Sequence, residues 1–400
     1  MDQDLYERLR LLFEGACGEV GEGRRLWVRS PGRTEIAGNH TDHQGGDVIA
    51  AAVTRYVDAL VVPTGGRVVR VVSEGYGTTE IDLDDLAARP DERATTASLV
   101  RGMAALFKER GIEPAGFDAA VVSGVLGGSG LSSSAAFELM LGQAMNVLWA
   151  DGALGAKELA MMAQRAEREW FGKPCGLMDQ AAVALGGVQK MSFAERGVLA
   201  AERIDVDFAE LGFAIAIVAV GADHAANTDD YAAVPKEMQA VASELGVDLL
   251  SEVELATPHE AIPAIRERLG DRAVLRAIHY YREMQLVEGR ARALEERDME
   301  TFLRLTRLSG HSSAMYLQNV SIGGATEQPS MVAIAIAEQF LRARGAARVH
   351  GGGFGGTIQA FVPLDLVDGF REVMDAVFGA GATDVLDVDA KGARAQWIED

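Results

Sequence analysis

A globular protein of two lobes that mixes helices with strands is what this sequence predicts, and three observations predict it. Four hundred residues exceed what one compact hydrophobic core ordinarily organises. Some stretches repeat their apolar residues at helical spacing, while others run as short apolar or alternating strands. A turn rich in glycine and serine, Val125-Leu-Gly-Gly-Ser-Gly-Leu-Ser-Ser-Ser-Ala135, joins a segment of each kind.

Composition bounds the function. Apolar content of 48% with 24% charged residues is that of an ordinary soluble globular protein. A net charge of −21 argues against nucleic acid or an anionic membrane as partner. It leaves open a nucleotide, which needs only a local positive field. Cys17 and Cys175 make no disulfide framework and suit a reducing compartment. The charged start, Met1 to Arg8, has no apolar core of a signal peptide. Phe213 to Val220, bounded by Gly212 and Gly221, is far short of a membrane span and reads as a buried strand. A cytoplasmic protein is expected.

In chain order, residues 4–18 predict an amphipathic helix with Leu5, Leu9, Leu12 and Phe13 on one face. Leu26 to Ser30 alternates as a strand and ends at a Pro31-Gly32 turn. Gly32 to Gly46 then packs Arg33, Asn39, His40, Asp42, His43 and Gln44 between glycines, a lining suited to a small polar ligand such as a sugar. His40, Asp42 and His43 also admit a zinc reading, but no further ligand cluster is visible; a plain surface loop is the third reading. Val48–Val53 and Tyr56–Pro63 read as strands, and Val68–Ser73 with Thr78–Leu83 as a hairpin region. Residues 95–112 predict a helix, and Phe117–Ser123 the strand that delivers the glycine turn.

Gly127, Gly128 and Gly130 let a ligand approach the backbone, and the helix Ala135–Trp149 follows at once. Unpaired N–H groups and the positive end of a helix dipole then aim at one place, which suits a phosphate. Ser132, Ser133 and Ser134 can bond phosphate oxygens or ligand Mg²⁺. No Lys follows the last glycine as a Walker A needs, and a helix-capping loop is the plain alternative. Residues 156–171 predict a helix, broken by Gly172, Pro174 and Gly176 so that Asp179 falls near a new helix start. Glu167 and Asp179 can act as metal ligand and base if the turn brings them to one cavity; alone they read as solvated or capping acids. Gly186–Ser192 reads as a turn and strand closing the first lobe, and the second lobe starts near 205. Helices are expected at 258–268, 273–295, 298–318, 331–344 and 366–379, with a last strand near 383–389. Glycines around Phe354, in Ala347 to Pro363, mark a tight turn between strands.

Gly130-Leu-Ser-Ser-Ser-Ala-Ala136 resembles the phosphate loop of the GHMP small-molecule kinases, with Leu126 where that family usually has Pro. The galactokinase branch carries P-G-R-V-N-L-I-G-E-H-T-D-Y-N-G-G, and Pro31, Gly32, Arg33, Gly38, His40, Thr41, Asp42, Gly45 and Gly46 match it. Asn39, His43 and Gln44 replace its Glu, Tyr and Asn. Ala166, Glu167, Gly172, Pro174, Cys175, Gly176, Met178, Asp179 and Gln180 match its A-E-H-x-x-x-G-x-P-C-G-I-M-D-Q at the same spacing. The glycines around Phe354 resemble the third family motif, whose loop lies against the phosphate loop and the substrate. His224 and Tyr231 fit a further pattern without the Arg pair that usually follows, and Leu317–Ser330 departs from the family's C-P-E-L-D.

The resemblance implies an α+β fold of two lobes with the site between them. Residues 1–204 would form a ribosomal S5 domain 2-like lobe and 205–400 a ferredoxin-like lobe. It implies ATP-dependent phosphorylation of the anomeric hydroxyl of a galactose-type sugar. Gly127, Gly128, Ser129, Gly130, Ser132, Ser133 and Ser134 would hold ATP, and Ser134 with Glu167 would hold Mg²⁺. Asp179 would take the sugar proton with Arg33 beside it, and Asn39, His40, Asp42, Gly176 and Tyr231 would line the sugar. Arg276-Ala277 and His279 resemble a family stretch read as structural. Asn39 no longer repels a carboxylate at O6, and Asp42 to Gly46 also resembles plant galacturonokinases, so a uronic acid is an alternative substrate. A catalytically silent sugar and ATP sensor is the reading of another class; the retained Arg33, Glu167, Asp179 and serines argue against it. A monomer is expected.

Overall fold

Two sheets carry the two lobes. The computed structural model describes every residue except 22, 126–129, 196, 222–227, 255–258, 323–324, 355 and 399–400, and of 228–229 the backbone alone. The first seven strands are β1 (Arg25–Ala37), β2 (Asp47–Pro63), β3 (Val68–Ser73), β4 (Gly77–Asp82), β5 (Phe117–Ser123), β6 (Val188–Ser192) and β7 (Ala200–Ile204). The remaining five are β8 (Phe213–Ala219), β9 (Ala346–Val349), β10 (Thr357–Pro363), β11 (Thr383–Leu386) and β12 (Arg394–Ile398). The larger sheet runs β12-β1-β2-β5-β3-β4, with β6 on β2 and β7 on β6; among the described residues only β3 and β5 pair in parallel. The smaller runs β11-β8-β10-β9, antiparallel throughout.

The helices are α1 (Gln3–Cys17), α2 (Thr96–Glu109), α3 (Ser133–Ala150), α4 (Ala156–Ala166), α5 (Met178–Leu185), α6 (Thr228–Glu244), α7 (Ile262–Leu269), α8 (Asp271–Glu295), α9 (Met299–Ser312), α10 (Pro329–Leu341) and α11 (Val367–Phe378). Helices α2 to α5 cover one face of the large sheet. Leu9 and Phe13 of α1 pack on the other, against Leu60, Val72, Ala120 and Val122. Buried on both faces, β2 has the near-continuous apolar run that such a strand needs. In the second lobe α10 and α11 cover one face of the small sheet. Between the lobes, Ile36, Ile49 and Ala51 meet Ile215, Phe361, Val287, Leu294 and Phe302. The Phe302 and Phe361 rings meet edge to face at 4.9 Å and 89°, an arrangement worth about 0.5–1.5 kcal/mol beyond the area buried. This apolar seam joins the lobes.

Four differences from the sequence expectations bear on the site. First, β1 does not turn at Pro31-Gly32 but continues to Ala37, slipping its pairing with β2 at that dipeptide. Proline lacks an N–H for the ladder, and a bulge is where a strand accepts one. A Cβ on Gly32 would stand 3.0 Å from the Leu131 carbonyl oxygen, so glycine lets β1 touch the approach to α3. Second, Val48–Val53 and Tyr56–Pro63 are one strand, whose halves pair with β6 and β5 respectively. Third, α4 stops at Ala166, and Glu167–Phe171 forms a π turn, a feature that often marks functional sites. Fourth, the chain does not end its strands near 389. It adds β12, which returns to the large sheet with Arg25 opposite Ile398. Residues 394–398 thus lie with the first lobe, whereas the sequence analysis assigns them to the second. An edge strand with one solvated face carries too few apolar residues to announce itself.

Candidate active site

At the end of β1 the chain leaves the sheet through a short 3₁₀ turn, Asp42–Gln44, and here four segments from distant parts of the sequence meet. Arg33 projects from β1 and grips Asp179, in the first turn of α5, with both arms of its guanidinium: Nε to Oδ1 at 2.7 Å and Nη2 to Oδ2 at 2.9 Å. Its remaining arm donates to the Gly130 carbonyl at 2.5 Å. The Ser132 hydroxyl also donates to Asp179 Oδ2. Ser132 takes a left-handed conformation (φ 58°) that turns the glycine loop into α3. Burial pushes the Asp179 carboxyl up, but Arg33, Ser132 and Lys173 outweigh it and hold the group below the usual carboxylate range.

Asp42 is tuned the other way. Burial pushes its carboxyl up to about 7, and the charges of Asp179 and Glu35 add to the effect. A Cβ on Gly176 would fall 1.8 Å from Asp42 Oδ2, so only glycine leaves room for that carboxylate. His40, left-handed at φ 58°, shares a hydrogen bond of 2.9 Å between Nε2 and the Gly352 carbonyl. Its ring lies 5.7 Å from His43 and 5.5 Å from Tyr231. Burial lowers both histidines, His43 to about 3, so both are neutral at physiological pH. Among the described residues neither ring nitrogen of His43 has a hydrogen-bond partner. Tyr231 lies across the third glycine motif: a Cβ on Gly352 would be 2.2 Å from its ring.

That motif also reaches the turn rich in glycine and serine, since a Cβ on Gly130 would stand 2.5 Å from Thr357 Oγ1 and 2.8 Å from His350 Nδ1. Ser133 and Ser134 occupy the first two positions of α3, partly buried. Leu126, Gly127, Gly128, Ser129 and His224 lie outside the described residues. Glu167 opens the π turn and is buried, with Lys173 Nζ 2.9 Å from Oε1 and Gln180 Nε2 2.8 Å from Oε2. The same Gln180 nitrogen reaches Glu138 Oε2 at 3.0 Å. Burial and the Glu167 charge hold the Glu138 carboxyl well above its usual range. Among the described residues no three His, Cys, Asp or Glu side chains are placed to hold a metal between them. A cation at Glu167 would draw its further ligands from hydroxyl, carbonyl, water or phosphate oxygens.

Asn39 is placed differently from the expected sugar contact. It is fully buried, and its amide is spent on protein: Nδ2 donates to the Gly351 carbonyl at 2.7 Å, and Oδ1 accepts from Asn319 at 2.8 Å and Ser313 at 3.2 Å. It belongs to a buried polar scaffold that the sequence reading missed. Arg348 pairs with Glu35 at 2.7 Å, Glu283 accepts from Gly38 N at 3.2 Å and Ser309 at 2.8 Å, and Arg290 donates to the Ile36 carbonyl. His279 bridges Ser312 and the Asn39 carbonyl at 2.9 Å each, consistent with the structural reading of its segment. A signal existed for Arg348 alone: a lone arginine inside the apolar strand Ala346-Ala-Arg-Val349 needs a buried partner.

Comparison with known proteins places this geometry. Residues 98–187 match the GHMP kinases N terminal domain, and residues 12–63 match the galactokinase galactose-binding signature. The chain is 30% identical to galactokinase of Streptomyces coelicolor over 378 residues, 92% of this chain and 94% of the relative. It is 32% identical to galactokinase of Actinobacillus pleuropneumoniae over 352 residues, 87% and 88% of the two chains. Among solved structures, Lactococcus lactis galactokinase complexed with galactose aligns with a TM-score of 0.82 at 23% identity, over 97% of this chain and 99% of that one. A mevalonate kinase aligns with a TM-score of 0.64 at 15% identity, over 92% and 99%. At those identities the solved structures speak for the fold alone, a two-lobed α+β kinase fold. Sequence identity that spans nearly the whole of both chains, with a family signature on the strand that carries Arg33, means that this chain belongs to the galactokinase family of GHMP kinases and is a phosphotransferase acting on a sugar hydroxyl.

Proposed function

We propose that the chain transfers the γ-phosphoryl group of ATP to the anomeric O1 hydroxyl of galactose, giving galactose 1-phosphate and ADP. The observation that carries this reading is the Arg33–Asp179–Ser132 constellation at the entrance to α3. Phosphoryl transfer asks for position and charge more than covalent chemistry. The start of α3 offers N–H groups and the positive helix end to the phosphates. Asp179 accepts the O1 proton, and because Arg33 and Ser132 hold its carboxyl low it is a weak base that takes the proton late. Arg33 orients the carboxylate and offers positive charge beside the transferred group. Asp42, His40 and Tyr231 face the sugar, with Gly176 making room for Asp42. Asn39 supports the loop from behind.

Glu167 and Ser134 are the residues that would hold Mg²⁺, which when bound neutralises charge on the phosphate oxygens. The site fits a cation: Glu167 is a buried oxygen ligand that already carries an ammonium group. No described helix is long and apolar enough to cross a membrane. A cytoplasmic monomer is the working assignment.

An ADP-release assay with ATP and Mg²⁺ over galactose, galacturonate, N-acetylgalactosamine, glucose and arabinose tests the proposal. Galactose should exceed the others. Preference for galacturonate overturns the substrate and favours the uronic acid, which the resemblance of Asp42 to Gly46 left open. No turnover, with heat stabilisation by sugar plus ATP, moves the chain to the sensor class.

A further inference from the structure

Both oxygens of Glu167 are occupied by N–H donors, Lys173 and Gln180, which differ in kind, and the Cys175 thiol also lies against this carboxylate. Gln180 is wholly buried and its nitrogen also serves Glu138, so it cannot turn away without orphaning buried carboxylates. Lys173 has a flexible stem and a side chain 49% exposed, against 2% for Glu167. The backbone delivers it there. The π turn closes with Gly172 in the left-handed region (φ 88°), and the N–H groups of Gly172 and Lys173 both return to the Glu167 carbonyl, at 2.9 and 3.1 Å. Leaving a carboxylate this buried without a cation is costly. The ammonium on Oε1 occupies ground that a metal ion at that oxygen would take.

We infer that Lys173 is a resident cation on Glu167: it holds that carboxylate when no metal is bound, and it must leave Oε1 before a divalent ion takes it. Lys173 is thus a positioning residue that sets the metal affinity of the site. The inference rests on the reading of Glu167 as a metal ligand. Once displaced, the ammonium remains tethered near Asp179, whose charge it feels.

Calorimetric titration of Mn²⁺ into the intact chain, presaturated with a non-hydrolysable ATP analogue, tests it in wild type, K173M, K173Q, K173R and E167Q. The neutral variants K173M and K173Q should bind Mn²⁺ about two- to fivefold more tightly, the scale of a half-exposed ion pair. K173R keeps the charge and should stay near wild type. Melting temperature supplies a second readout: metal-free K173M should melt below wild type and gain more from Mn²⁺. If the neutral variants bind Mn²⁺ no more tightly while E167Q binds it weakly, Lys173 does not compete and the inference fails alone. If E167Q binds like wild type, Glu167 is not a ligand, and the reading beneath the inference fails with it.

Discussion

Replacing Asp179 by Asn keeps the shape of the side chain and removes both its charge and its capacity to take a proton. Two losses follow, and the structure separates them. General-base assistance contributes about 10²- to 10⁴-fold in rate. The fork from Arg33 and the Ser132 bond also lose their ionic acceptor. Breaking a fully buried ion pair costs about 3–5 kcal/mol. Here the Arg33 side chain is 8% exposed but that of Asp179 is 26% exposed, so water screens part of the loss and about 1–3 kcal/mol of stability is the expected cost. Asp179→Asn should therefore lower kcat about 10³-fold, with the affinity for ATP within about threefold of wild type. The assay is steady-state ADP release beside calorimetric ATP binding and a thermal melt. Arg33→Ala should cost a similar factor, and the double variant little more, because residues that act as a unit are not additive. Retention of a tenth of wild-type kcat by Asp179→Asn, or loss of ATP affinity in step with kcat, would refute the assignment.

Further outcomes follow from the surrounding geometry. Asp42 has its folded carboxyl raised to about 7, so the folded state binds a proton there that the unfolded chain releases near 4; its stability penalty is absent below about pH 4 and grows to full size as pH rises through about 7. Asp42→Asn should remove that slope, leave the protein more stable at pH 8 by on the order of 2 kcal/mol, and raise the sugar KM, as melts across pH and kinetics will show. Gly176→Ala places a Cβ 1.8 Å from Asp42 Oδ2; sugar KM should rise about tenfold or more while ATP binding is retained. Glu167→Gln should raise the Mg²⁺ concentration needed for half-maximal rate, and an unchanged requirement argues against its metal role. Glu35→Gln leaves Arg348 buried without its ionic partner and should cost about 3–5 kcal/mol in a denaturant melt.

Much of this was legible before any coordinates, and the reason is local. The strand Phe117–Ser123 carries its apolar run and turn signals within seven residues, and the structure has it with those bounds. The helix after the serine run shows its spacing over four turns, and α3 begins two residues earlier than periodicity marks, at Ser133. From Glu167 to Gln180 the spacing alone left two acids that a turn could bring together or leave solvated, and the resemblance implied that they share a site. Where the reading failed, the deciding partner lay far along the chain. Pro31-Gly32 looks like a turn unless Leu131 is known to press on Gly32. Residues 394–398 look unstructured unless β1 offers an edge.

The sequence by itself determined most of the elements and the chemistry available at each motif, because period, turn residues and spacing act over a few residues, and the resemblance of its motifs implied the family. Tertiary packing alone decided how that chemistry is used. It set Arg33 against Asp179 across 146 positions of chain. It drew the Asn39 amide into the protein, pushed the Asp42 and Asp179 carboxyls in opposite directions, and put Lys173 on Glu167. Burial and the nearest charge fix what an ionisable group does, and both depend on which segments come to lie side by side.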